Sequence, residues 1–83
     1  MTATLYSKPH CVQCKATRRQ LDRAGISYNE INLEADSDAL GYVKSLGYHA
    51  APVVVTASGE HWAGFRPDRI KELITHDEKG MNQ

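Results

Sequence analysis

Cysteine is scarce in this chain. Only Cys11 and Cys14 occur among 83 residues, which rules out the disulfide framework of a small secreted domain. It also weakens a structural zinc site, which commonly needs a second Cys-x-x-Cys or a paired histidine set. His10, His49, His61 and His76 stand singly, without such pairing. No apolar run approaches the ~20 residues needed to span a bilayer. The N-terminal "MTATLYSKPH" lacks the charged-then-apolar pattern of an export signal. Charge of either sign is not in excess: 10 Lys and Arg balance 10 Asp and Glu, with pI near 6.9. Such a chain has no basic surface to recruit nucleic-acid phosphates or anionic lipid. The expectation is a cytoplasmic monomer without nucleic-acid or membrane partners, in a reducing compartment where a permanent disulfide is unusual. Linkers, internal repeats and low-complexity segments are also missing. One domain over 1–76 with a flexible tail over 77–83 follows, since a chain this short buries only ~60–65 % of its unfolded surface and needs one economical core.

What is present is a clear alternation of element types. "TATLY" (Thr2–Tyr6) alternates in the manner of a strand, and Pro9 bars its continuation. From Val12 to Ala24 the period becomes helical, with Thr17, Leu21 and Ala24 on one face and Gly25 as the stop. Tyr28–Leu33 alternates again, half polar, as an edge strand does. Asp36, Ser37 and Asp38 are capping residues before Leu40, Val43 and Leu46 at helical spacing, and Gly47 ends that run. "APVVVTA" is a continuous apolar run, the pattern of a strand buried on both faces. "ASGE" turns it back into the short strand His61–Gly64. A last helix starts at Pro67, with Ile70, Leu73 and Ile74 as its stripe. The order β-α-β-α-β-β-α gives an α/β fold, a four-stranded mixed sheet flanked by three helices, of thioredoxin-like architecture.

In that order Cys11 and Cys14 fall where the first strand feeds its helix. A helix start carries orphan N–H groups and about half a positive charge. A thiolate there is stabilised, and its pKa drops from ~8.5 toward ~7 or below. Cys11 is then the accessible attacker, and Cys14, one turn on, the shielded thiol that resolves a mixed disulfide. Lys8 and His10 can add positive charge near Cys11. With no third cysteine, redox chemistry outweighs metal binding, and no metal ligand or cofactor is assigned. Pro52 has two readings, the plain start of a strand or a cis peptide with Ala51 that faces the Cys-x-x-Cys pair and presents the Ala51 backbone to a substrate strand. A proline commonly begins a strand, and spacing alone leaves the Ala51–Pro52 bond trans, because only ~5–6 % of X–Pro bonds in folded proteins are cis.

Taken together, "YSKPHCVQC", "AAPVVV" and "HWAGFRPD" resemble the NrdH-redoxins, glutaredoxin-like redoxins that serve ribonucleotide reductase. The resemblance runs from Thr2 to about His76. It implies a glutaredoxin-like fold with thioredoxin-like behaviour: reduction by thioredoxin reductase and NADPH, and delivery of electrons to the large subunit of class Ib ribonucleotide reductase. It implies Cys11 as nucleophile, Cys14 as resolving thiol and Pro52 as a cis-proline, with Ala51 presenting its backbone to substrate. Trp62, Gly64, Phe65, Arg66 and Asp68 would shape the surface beside the active site. Read without the resemblance, Trp62 and Phe65 are core aromatics, and Arg66 and Asp68 a solvated pair at a helix start. Ala63 stands where the family commonly has serine or threonine.

An ordinary glutaredoxin takes its electrons from glutathione instead. Lys8 matches a lysine that glutaredoxins use for glutathione. Against that, Ala50-Ala51-Pro52 replaces their threonine-valine-proline, Phe65 follows Gly64 where they have a second glycine, and Gln13 replaces the usual aromatic residue. Weak or absent glutathione binding is expected.

Overall fold

The computed structural model describes residues 2–81. Thr2–Ser7 forms β1, Val12–Arg23 α1, Ser27–Asn32 β2, Ser37–Ser45 α2, Val53–Thr56 β3, His61–Ala63 β4 and Pro67–Met81 α3. This is the order read from the sequence. Strand β1 pairs parallel with β2 and antiparallel with β3, and β3 pairs antiparallel with β4. The sheet order is therefore β2-β1-β3-β4, with the half-polar strand at one edge and the apolar one inside.

Alternation along β1 and β3 then divides the core. On one side Ala3, Leu5 and Val54 join Trp62 of β4, Leu21 of α1, and Ile70 and Leu73 of α3. On the other, Tyr6 and Val53 join Leu33, and Ala39 and Val43 of α2. Consecutive Val53 and Val54 are both fully buried, which a strand permits only when helices cover both faces.

Local chemistry sets the helix ends. Asp36 caps α2 by accepting from the Ala39 N–H at 3.0 Å. At the end of α1, Gly25 takes the left-handed φ of +70° that ends the helix. Two details differ from the sequence reading. The buried positions of α2 are Ala39 and Val43, with Leu40 only packed against them. Helix α3 runs to Met81, so backbone at 77–81, expected as tail, is helical. Glu78 and Lys79 are good helix formers, and propensity extends the helix where the apolar stripe has ended. Residues 82 and 83 of the expected tail lie outside the described residues. No helix among the described residues is long and apolar enough to cross a membrane.

Candidate active site

Between β1 and α1 the chain turns through Pro9 and His10. His10 has φ +59°, the left-handed region that few non-glycine residues enter, histidine among the more tolerant. This turn sets Cys11 as the N-cap of α1, with extended backbone (φ −104°, ψ 109°). The Cys11 sulfur accepts the Cys14 backbone N–H at 3.1 Å, and its carbonyl accepts the Lys15 N–H at 3.2 Å. The first turn of α1 has no acidic side chain, so no local negative charge opposes the positive end of the helix dipole.

Cys11 and Cys14 are joined as a disulfide with Cα atoms 5.2 Å apart. They differ sharply in access: Cys11 is half-buried, whereas Cys14 is 1 % exposed. Cys14 lies on the same helical stripe as Thr17 and Leu21, the buried residues of α1. Next to it, the Thr17 hydroxyl donates to the Gln13 carbonyl at 2.8 Å. When the pair is reduced, a thiolate on Cys11 meets the Cys14 N–H and the helix N-terminus, both of which favour its charge. Geometry thus gives one reachable sulfur and one sheltered sulfur, the arrangement that supports two-step thiol–disulfide exchange.

The Ala51–Pro52 peptide is cis, where spacing alone favoured trans. A single chain gives no signal that distinguishes the two, and only the resemblance pointed to cis. Pro52 is fully buried and Ala51 half-buried. The Pro52 carbonyl accepts the Gly64 N–H at 2.8 Å, joining the proline to the segment after β4. Gly64 has φ +84°, which suits a residue without a Cβ.

The residues of that segment separate. Trp62 is 3 % exposed and sits in the core, with the Arg69 guanidinium 5.2 Å from its ring centroid. Its ring packs in the core, which is the packing alternative. Phe65 is 38 % exposed and is a surface ring. Arg66 donates through Nε and Nη2 to the Asp68 carboxylate at 3.1 and 2.9 Å. That exposed pair holds the Asp68 carboxyl below its ordinary range and lies at the start of α3. Lys8 follows β1 and lines an open cavity of about 260 Å³ with Lys44, His49, Tyr48 and Leu40. His10 is exposed.

Two tertiary connections had no counterpart in the sequence reading. Gln13 Oε1 accepts the Phe65 N–H at 3.3 Å, across 52 positions of sequence. Tyr48 Oη and His61 Nδ1 lie 2.8 Å apart with rings edge to face. Neither follows a periodic pattern, so no sequence signal marks them. Among the described residues no group of three or more His, Cys, Asp or Glu is placed to hold a metal ion.

Comparison with known proteins agrees with this site. Residues 3–62 match the glutaredoxin family. The glutaredoxin-like protein NrdH of Salmonella typhimurium is 37 % identical over 73 residues, covering 88 % of this chain and 89 % of its own. NrdH of Lactococcus lactis subsp. cremoris is 37 % identical over 70 residues, covering 84 % and 96 %. The solved structure of NrdH-redoxin from Escherichia coli superposes with a TM-score of 0.82 at 36 % identity, covering 88 % of this chain and 95 % of that one. The fold, the redox-active cysteine pair and these relatives agree: the chain belongs to the glutaredoxin family of thiol–disulfide oxidoreductases, with the NrdH glutaredoxin-like proteins.

Proposed function

We propose that this chain is a cytoplasmic, monomeric dithiol carrier that takes electrons from thioredoxin reductase and NADPH. It delivers them to the disulfide of the class Ib ribonucleotide reductase large subunit. The observation that carries the reading is the asymmetry of the cysteine pair, with Cys11 reachable at the N-cap and Cys14 sheltered beneath it. The E. coli relative is described as having a thioredoxin-like activity profile, which supports electrons coming from a reductase rather than from glutathione.

In this reading the Cys11 thiolate attacks one sulfur of the partner disulfide. The partner's S–S bond breaks, its first sulfur leaves and takes a proton, and a Cys11–partner disulfide forms. Cys14 then gives up its proton and attacks the Cys11 sulfur, the mixed disulfide breaks, and the second partner thiol is released. Two electrons have moved to the partner, whose two thiols take one proton from solvent and one released by Cys14, and the Cys11–Cys14 bond is restored. The Ala51 backbone beside the cis-proline and the Gly64, Phe65 and Arg66 surface receive the partner, with Asp68 bracing Arg66. Lys8 and His10 can add positive charge around the approach to Cys11, although the exchange requires neither to be charged.

The test is NADPH oxidation by thioredoxin reductase with the oxidised protein as acceptor. Wild type should be reduced. Cys11→Ser and Cys14→Ser, which cannot form the internal disulfide, should accept no electrons from the reductase, whereas Cys14→Ser mixed with a disulfide substrate should be trapped as a mixed disulfide through Cys11. Wild-type protein that the reductase ignores, but that glutathione with glutathione reductase reduces readily, would overturn the proposal in favour of a conventional glutaredoxin.

A further inference from the structure

Gln13 occupies the middle of the Cys11–Cys14 loop, and its backbone is part of the first turn of α1. Its side chain does not point idly to solvent, because Oε1 accepts the Phe65 N–H at 3.3 Å. The preceding residue, Gly64, donates its own N–H to the Pro52 carbonyl at 2.8 Å. Two consecutive amides of one turn therefore bind two different elements, one on the redox helix and one on the cis-proline strand. Gly64 suits this turn through its backbone: its φ of +84° is left-handed, while a Cβ there would make only ordinary contact, 3.7 Å, with Gln13 Oε1. Immediately after this doubly tied turn comes Phe65, a large apolar ring 38 % exposed, and Val12 beside Gln13 is 80 % exposed.

The chemistry explains glutamine at this position. The tie needs a hydrogen-bond acceptor at the end of a two-methylene side chain leaving the first helical turn. Methionine has similar length but only a weak acceptor. Glutamate keeps an oxygen acceptor at the same reach. Without that acceptor, only the Pro52 side of the turn stays bonded, and the Phe65 ring is free to swing on one hinge.

We propose that Gln13 is a positioning residue, which fixes the Gly64–Phe65 turn to the redox helix and so holds the Phe65 ring where a protein partner docks beside Cys11. This rests on the reading that a reductase docks at this surface.

The experiment compares wild type, Gln13→Met and Gln13→Glu in the oxidised state. The first readout is hydrogen exchange at the Phe65 amide, followed by NMR. Loss of a net hydrogen bond corresponds to about fivefold faster exchange. Gln13→Met should show that acceleration at Phe65 while Gly64, bonded to Pro52, stays protected, and Gln13→Glu should keep the wild-type rate. The second readout is steady-state reduction by thioredoxin reductase. Gln13→Met should raise KM about three- to tenfold, with kcat changed less than twofold. Unchanged Phe65 exchange in Gln13→Met overturns the tie, and faster exchange with unchanged KM overturns its role in docking. If the reductase does not reduce wild type at all, the carrier reading fails on its own, and the Phe65 amide still decides for or against Gln13.

Discussion

A left-handed residue directly before the reactive cysteine is unusual, and His10 shows how one backbone angle prepares the site. At φ +59°, His10 directs the chain from β1 so that Cys11 arrives extended, as an N-cap requires. For an L-residue the left-handed region costs roughly 1–2 kcal/mol, and β-branching makes it worse. His10→Gly relieves that cost but gains entropy in the unfolded chain, so its stability should stay within about 1 kcal/mol of wild type. His10→Val should lose roughly 1–2 kcal/mol, or about 4–8 °C per kcal/mol in melting temperature for a domain of this size. Calorimetry of the two variants checks this, and equal melting of both would show that the turn imposes no backbone demand. The residue scale is also where sequence reading reached least. The Cys11–Cys14 spacing announced a site, yet the angle at His10 and the Gln13–Phe65 bond depend on how distant segments meet, which no local pattern records.

Elements were more legible, because hydrophobic period follows directly from strand and helix geometry. Thr17, Leu21 and the triple valine mark α1 and β3 in the sequence itself. What period does not register is polar fastening between elements. Glu30 on β2 accepts Arg18 Nε of α1 at 2.8 Å and pairs through its second oxygen with Nη2. That second oxygen also accepts the buried Ser7 hydroxyl of β1 at 2.8 Å. One carboxylate thus fastens the edge strand to its neighbour and to the helix that carries the cysteines. The Arg18 hydrogen bonds hold the Glu30 carboxyl below its ordinary value against the opposing effect of burial, with a lesser contribution from the Ser7 hydroxyl. Because the folded-state pKa is the lower one, the stabilisation is fully present above the unfolded value of ~4.3. It is lost as pH falls through the folded value. The pair is partly exposed, so Glu30→Gln should cost no more than about 1 kcal/mol at pH 7. That gap should narrow as pH falls below the unfolded value and through the lower folded one. Urea midpoints of both proteins at pH 7 and pH 3 measure it, and a gap of equal size at both pH values would mean the carboxylate charge is irrelevant.

For the whole molecule, stability and function occupy different places. The sheet and the side chains pressed on it form two core clusters, and the proposed site is made of what lies beyond the strand ends: the β1–α1 turn, the cis-proline before β3 and the turn after β4. Loops on a rigid scaffold commonly carry chemistry in this way. The apolar pattern recorded the scaffold almost completely, and the cysteines recorded the centre of the site. The surface around that centre was legible only as a resemblance, because an exposed ring such as Phe65 obeys no burial period. This division can be tested with two truncations. Leu5 is fully buried on β1, in the larger cluster with Leu21 of α1 and Ile70 of α3, and removing its isobutyl end leaves a cavity that close-packed neighbours fill poorly. Leu5→Ala should cost about 2–5 kcal/mol, a large part of the ~5–15 kcal/mol that holds a typical domain folded. Phe65→Ala removes a ring that already meets water, so its urea midpoint should stay near wild type while KM for the reductase rises. Denaturation curves and steady-state kinetics on both proteins separate the two roles. A Phe65→Ala protein destabilised as much as Leu5→Ala would place that ring in the core and remove it from the docking surface.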